Sequence, residues 1–201
     1  LLNSIEPHIK GLIFDADGTL VDTMPMHYLA WQQTAQSMGG EFPEPLFYEL
    51  AGVPTVRIVE ILNEKFGYGF NPQEFTEIKE NLYMEKYLPT VNPIEPVVAV
   101  ARKYQGRLPM AVATGAVQRV VQAALAATNL TDMFDTVVGA DDVKHGKPAP
   151  DTFLEAARRL GVEPQYCLVY EDSDLGLEAA QRAGMTGIDV RPYIAQWKNG
   201  H

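Results

Sequence analysis

The sequence predicts an α/β protein: a parallel sheet with helices on both faces and an all-helical insertion near its start. From Pro93 to Val190, short apolar runs alternate with stretches whose apolar residues recur at helical spacing. Every crossover in that alternation is long enough to join parallel strands. One further apolar run, Gly11–Phe14, stands apart from these, and between them lies a region, Phe42–Leu88, with few strand-like runs.

Taken in order, Gly11–Phe14 reads as a short strand that breaks abruptly into Asp15, Asp17, Gly18 and Thr19. Asp22 and Thr23 are candidate caps for a helix beginning near Pro25, which suits an early helical position, and Gly39-Gly40 ends it. His27, Ala30, Trp31 and Ala35 lie on that helix. Thr55–Phe66 and Pro72–Leu88 read as amphipathic helices, punctuated by Pro43, Pro45, Pro54, Gly67 and Gly69. Next come a helix over Pro93–Tyr104, a strand over Met110–Thr114, a helix over Val117–Ala127 and a short strand over Thr136–Gly139. A helix over Pro150–Leu160, a strand over Cys167–Tyr170, a helix over Leu175–Ala183 and a strand over Thr186–Val190 complete the pattern. The expected division is an α/β domain of residues 1–23 and 93–201 and a helical domain of residues 24–92.

A chain of 201 residues, 46% hydrophobic and 21% charged, can bury a sizeable core and is not disordered on a large scale. The formal charge of -10 argues against nucleic acid as a partner, because binding its backbone needs a basic surface. A small phosphorylated metabolite stays compatible where a metal and local lysines reverse the field. The single cysteine, Cys167, excludes an intrachain disulfide and a cysteine-rich metal site, and packing is its expected role. No apolar stretch approaches a membrane span, and the first ten residues lack the layout of a secretory signal, so a cytoplasmic location is expected. A monomer is the expected state, with a dimer as the alternative.

Four clusters carry chemistry. Asp15 and Asp17, one residue apart beside Gly18, disfavour mutual ionisation, a conflict that a divalent cation such as Mg²⁺ resolves. Thr19 can offer its hydroxyl and backbone N–H to a phosphate oxygen, although an ordinary strand-to-loop turn also accounts for these residues. Thr114-Gly115 suits a phosphate at a helix amino terminus, or else Thr114 is a helix cap. In Gly146–Asp151, two prolines stiffen the chain around Lys147, which is otherwise a solvated loop lysine. Glu171, Asp172 and Asp174 follow an apolar strand; they either complement a helix dipole or join the other clusters in metal-assisted phosphoryl transfer.

The motifs FDADGTL, ATG, GKPAPD and YEDSDLGLEAAQRAGM occur in that order. With them the chain resembles the haloacid dehalogenase-like hydrolases, in the β-phosphoglucomutase-like branch with a helical cap, from Gly11 to Val190. The resemblance implies a Rossmann-like core and a cap that closes over the site and selects the substrate. It implies that Asp15 attacks phosphorus and that Asp17 protonates the leaving oxygen and later activates water. Asp15, Asp17 through its backbone carbonyl, Asp172, and Glu171 directly or through water are the implied holders of Mg²⁺. Thr114 and Lys147 would hold phosphoryl oxygens, with Thr19 and Gly115 beside them.

Matching cap positions imply that His27, Arg57 and Lys79 face the substrate. The alternatives are solvated helix residues for Arg57 and Lys79, and a hinge or packing role for His27. Trp31, Met24 and Met26 read as packing. Ala116 and Val117 stand where mutases of this branch carry polar and basic residues, which favours hydrolysis over a phosphomutase reaction. GVPTVR with HGKPAP looks most like fructose-1-phosphate and 6-phosphogluconate phosphatases. The remaining alternative is a non-catalytic phosphate-binding regulatory module.

Overall fold

The computed structural model describes Leu2, residues 4–50 and residues 53–199. Gly52, the first residue of the GVPTVR pattern, lies outside them. In chain order the elements are β1 (Gly11–Phe14), α1 (Met24–Ser37), α2 (Glu44–Glu49), α3 (Thr55–Phe66), α4 (Pro72–Leu82), α5 (Glu95–Tyr104), β2 (Met110–Ala113), α6 (Gln118–Ala127), β3 (Thr136–Val138), α7 (Asp151–Leu160), β4 (Cys167–Glu171), α8 (Asp174–Arg182), β5 (Thr186–Asp189) and α9 (Arg191–Lys198). They form two compact units, Leu1–Asp22 with Asn92–His201, and Thr23–Val91.

In the α/β unit the strands lie in the order β3-β2-β1-β4-β5 and every pairing is parallel. The central strand β1 sets Phe14 opposite both Val112 and Tyr170. Strand order reverses there, so the residue after Phe14 emerges where ligands of open α/β sheets bind. β1, β2 and β4 are buried along their whole length, which explains apolar runs without alternation. One face packs Ile13, Ala111, Ala113 and Val169 against Phe153, Ala156 and Ala157 of α7 and Ala179 and Ala180 of α8. On the other, the Phe14 and Tyr170 rings stack at 4.8 Å, with Tyr104 of α5 and Tyr193 of α9 close to Tyr170. The fold class is therefore the expected one, a parallel sheet with helices on both faces.

β3 is an edge strand, and its outward Val137 carbonyl accepts Gln118 Nε2 at 2.7 Å and Arg159 Nη1 at 2.9 Å. Side chains thus occupy an acceptor that would otherwise template another strand. Where the chain leaves the α/β unit and returns to it, Asp22 N donates to the Asn92 carbonyl at 2.9 Å and Ile94 N to the Leu20 carbonyl at 2.8 Å.

The helical unit closes around Trp31, Phe42, Phe47, Leu62, Phe70 and Phe75. Three expectations need correction. Thr23 is the N-cap residue of α1 but makes no side-chain cap hydrogen bond. The helix expected to run from Pro72 to Leu88 is α-helical only to Leu82, then continues as a π-helical turn over Tyr83–Tyr87 and a 3₁₀ turn over Leu88–Thr90. Pro43 and Pro45 do not merely punctuate the chain: they open α2, where a missing N–H in the first turn goes unfelt. Among the described residues, no helix is long and apolar enough to cross a membrane.

Candidate active site

The loop after β1 is wound tightly. The Ala16 carbonyl accepts from the N–H groups of Leu20 at 2.9 Å and Val21 at 3.0 Å, and Gly18 takes a φ of 82°. A side chain at Gly18 would run into the carboxylate of Asp172, so only glycine lets the loop and that acid share the space. Asp15, buried, starts the loop; Asp17 is half-buried within it.

Lys147 crosses from the loop before α7 into this site. Its Nζ donates to Asp15 Oδ1 at 2.7 Å and to Glu171 Oε2 at 2.6 Å, and lies 4.8 Å from the centre of the buried Phe153 ring. With 8% of its side chain exposed, Lys147 is not the solvated loop lysine that was the alternative reading. The other oxygen of Glu171, Oε1, accepts from Ser173 Oγ at 2.7 Å, Ser173 N at 2.9 Å and Asp172 N at 3.2 Å. Asp172 Oδ1 accepts from the Thr19 hydroxyl at 3.0 Å. Asp15, Thr19, Lys147, Glu171 and Asp172 thus form one cluster across the ends of the neighbouring strands β1 and β4.

The segment Glu171–Asp174, which begins on the last residue of β4, divides by role. Ser173 is the N-cap of α8, accepting from Gly176 N, and Asp174 is its first-turn acid. Glu171 and Asp172 precede the helix and belong to the cluster. Ser173 was not singled out from the sequence, yet its place just before a helical run is the usual N-cap signal. Thr114 is buried at the end of β2, beside β1, and its Oγ1 accepts from Ala116 N at 3.1 Å. It is not a helix cap, since Val117 holds that position in α6. Gly115 is exposed.

Residues 12–190 match the family described as haloacid dehalogenase-like hydrolase. The chain belongs to that family. This hydrolase is 43% identical over 181 residues to the fructose-1-phosphate phosphatase YqaB of Escherichia coli, covering 90% of this chain and 96% of that one. It is 34% identical over 184 residues to the phosphorylated carbohydrates phosphatase of Thermotoga maritima, covering 90% and 84%. A crystal structure of β-phosphoglucomutase from Clostridium difficile is similar to it with a TM-score of 0.76 at 25% identity, over 90% of this chain and 84% of that one.

Electrostatics of the cluster bear on whether it could hold a cation. Asp15, Glu171 and Asp172 each bring a carboxylate oxygen within 4.8 Å of the others. Burial, then the charges of Glu171 and Asp172, raise the Asp15 carboxyl well above the usual carboxylate range despite Lys147. Burial and Glu171 push Asp172 up to about 7, against the Thr19 hydrogen bond and Lys147. Burial opposes the charge on Lys147, but Asp15 and Glu171 hold its ammonium above the ordinary lysine value. One ammonium does not balance three carboxylates. Hard oxygen donors carrying excess negative charge fit a divalent cation.

The three residues expected from the helical unit lie in different settings. Arg57 is exposed and pairs with Glu60 at 2.9 Å and Glu64 at 3.1 Å. Lys79 is 3% exposed, so the solvated alternative does not describe it. Its Nζ donates to Glu80 Oε1 at 2.9 Å and approaches His27 Nδ1 at 3.1 Å, and the His27 ring stacks on Tyr83. Because an ammonium only donates, His27 Nδ1 is the acceptor there. Trp31 fills the core of the unit, and Met24 packs against it.

Proposed function

We propose that this hydrolase is a Mg²⁺-dependent phosphomonoesterase that acts on small sugar phosphates, fructose 1-phosphate and 6-phosphogluconate foremost, through an aspartyl phosphate on Asp15. The observation that carries the reading is the buried Lys147 bridging Asp15 and Glu171, with Asp172 alongside. The phosphatase names of both relatives support it.

Asp15, the backbone carbonyl of Asp17, Asp172 and Glu171, directly or through water, would hold Mg²⁺, which when bound supplies charge neutralisation for the transferring phosphoryl group. Asp15 forms a bond to phosphorus as the bond from phosphorus to the ester oxygen breaks. Asp17 gives its proton to that departing oxygen. Water then attacks the phosphorus and Asp17 takes back a proton; cleavage of the acyl-phosphate bond frees phosphate and restores the Asp15 carboxylate. Lys147 holds a phosphoryl oxygen and offsets the charge around Asp15. The Thr114 oxygen accepts from Ala116, which leaves its O–H proton to donate to the phosphoryl group, alongside Thr19 and the Gly115 backbone. His27, Arg57 and Lys79 select the sugar within the same proposal.

Phosphate release from fructose 1-phosphate, 6-phosphogluconate, β-glucose 1-phosphate and p-nitrophenyl phosphate, with Mg²⁺ or EDTA, tests this. Release from the sugar phosphates that EDTA abolishes is expected. Interconversion of glucose phosphates without net release would instead establish a mutase, a reading that the likeness to a β-phosphoglucomutase structure keeps in view. No turnover in any sample would leave the phosphate-binding module.

A second prediction concerns pH. Asp172 sits at about 7 in the metal-free protein, above the roughly 3.9 of an unfolded aspartate. A raised folded value means that its contribution to stability is complete below about pH 4 and is lost as pH rises through about 7. The cation takes the ionised carboxylate, so Mg²⁺ should raise Tm more at pH 8 than at pH 5.5. Equal shifts at both pH values in a thermal melt would show that Asp172 does not hold the metal.

A further inference from the structure

The match to the family ends at residue 190, and α9 begins one residue later. Its first residue, Arg191, reaches back to Asp174 at the start of α8, two residues beyond Asp172. The Arg191 guanidinium grips Asp189, Nε to Oδ1 at 2.9 Å and Nη2 to Oδ2 at 2.9 Å, and the same Nη2 donates to Asp174 Oδ1 at 2.8 Å. Asp189 ends β5 opposite Glu171, and Val190 N donates to the Glu171 carbonyl at 3.0 Å. Asp174 opens α8, two residues after Asp172. One planar cation therefore ties Asp174 to Asp189, whose strand pairs with the backbone of Glu171. The far end of α9 is tied down as well, by Lys198 to Asp22 at 2.9 Å.

We propose that Arg191 is a positioning residue: it clamps Asp189 to Asp174 and thereby holds Glu171 and Asp172 in the arrangement that binds the divalent cation. Lysine cannot replace it fully, since a point charge lacks the fork that engages both oxygens of Asp189 and Asp174 together. Arg191 pairs with Asp174 and Asp189 rather than with Asp15, Glu171 or Asp172, so the clamp acts through the backbone between them. It rests on the functional reading above insofar as the cation is concerned.

Charge and position oppose each other here, which makes the test decisive. Arg191→Ala removes a positive charge from beside an acidic site, and by charge alone would tighten cation binding. Loss of positioning weakens it instead. In calorimetric titration of the full chain with MgCl₂, Arg191→Ala is expected to weaken binding by about fivefold or more, with Arg191→Lys intermediate and kcat at saturating Mg²⁺ within about twofold of wild type. Arg102→Ala, which breaks an exposed pair with Glu95 on α5, is expected to change none of these. Equal or tighter binding by Arg191→Ala overturns the proposal. Hydrogen exchange of the metal-free proteins decides the clamp independently: amides of residues 172–176 should exchange about tenfold faster in Arg191→Ala, and those of residues 18–21 at the wild-type rate. Unchanged exchange at 172–176 also overturns it, whereas a wild type that takes up no Mg²⁺ while those amides still loosen refutes the functional reading and leaves the clamp standing.

Discussion

Asp15→Asn is expected to abolish phosphate release, lowering kcat by at least about 10⁴-fold, the scale seen when a covalent nucleophile is removed. The substitution is nearly isosteric, and the amide oxygen can still accept from Lys147 Nζ, now 2.7 Å from Asp15 Oδ1. It also removes one buried negative charge from a cluster that has too many. The raised Asp15 value means that ionising this carboxyl works against the folded state in the metal-free protein. Melting without metal should therefore occur at or above the wild-type temperature. Trapping of labelled phosphate from substrate on the wild type, and none on Asp15→Asn, is the accompanying measurement. A variant that still turns over at a tenth of the wild-type rate would place the nucleophile elsewhere.

Lys147→Met should have the largest effect on stability. Among the described residues it takes away the only cation paired with Asp15 and Glu171, two acids that stay buried, and leaves their charge uncompensated. Breaking a buried pair in this way costs about 3–5 kcal/mol. For a protein of this size that corresponds to a fall in Tm of roughly 6–20 °C. The sign with pH follows from the raised Asp15 carboxyl: without the ammonium it rises further, so the variant regains stability as Asp15 protonates and the deficit is larger at pH 8 than at pH 5. Activity should fall by about 10³-fold, as when a preorganised donor to the reacting oxygens is lost. A variant that melts with the wild type at pH 8 would mean that Lys147 does not offset buried charge there.

Much of this was legible in the sequence, for identifiable reasons. Strands buried on both faces, such as GLIF and the run from Cys167, stand out as unbroken apolar runs, and acids directly after them mark a site. Lys147 could not be settled from its neighbours, because only the fold brings β1, β4 and the loop before α7 together. α9 escaped notice: it is short, and Pro192 looks like a breaker although it lies in the first turn, where proline is at home. The π-helical turn at Tyr83–Tyr87 shares the apolar spacing of the helix it extends, so periodicity does not separate the two. Thr114 shows the limit of positional reasoning, since a threonine before a helix need not be its cap.

The paired crossings at Asp22 and Asn92 bear on how such a protein changes over time. Because these backbones are hydrogen-bonded neighbours, the ends of whatever chain lies between them are already held together. Closure entropy grows only slowly with the length of such an insert, by about 0.6 kcal/mol for each doubling. Helices can be added, shortened or exchanged there at little thermodynamic penalty to the sheet. Selection can thus rework the inserted unit as a separate module while the acids at the ends of β1 and β4, and the lysine that reaches them, stay as they are.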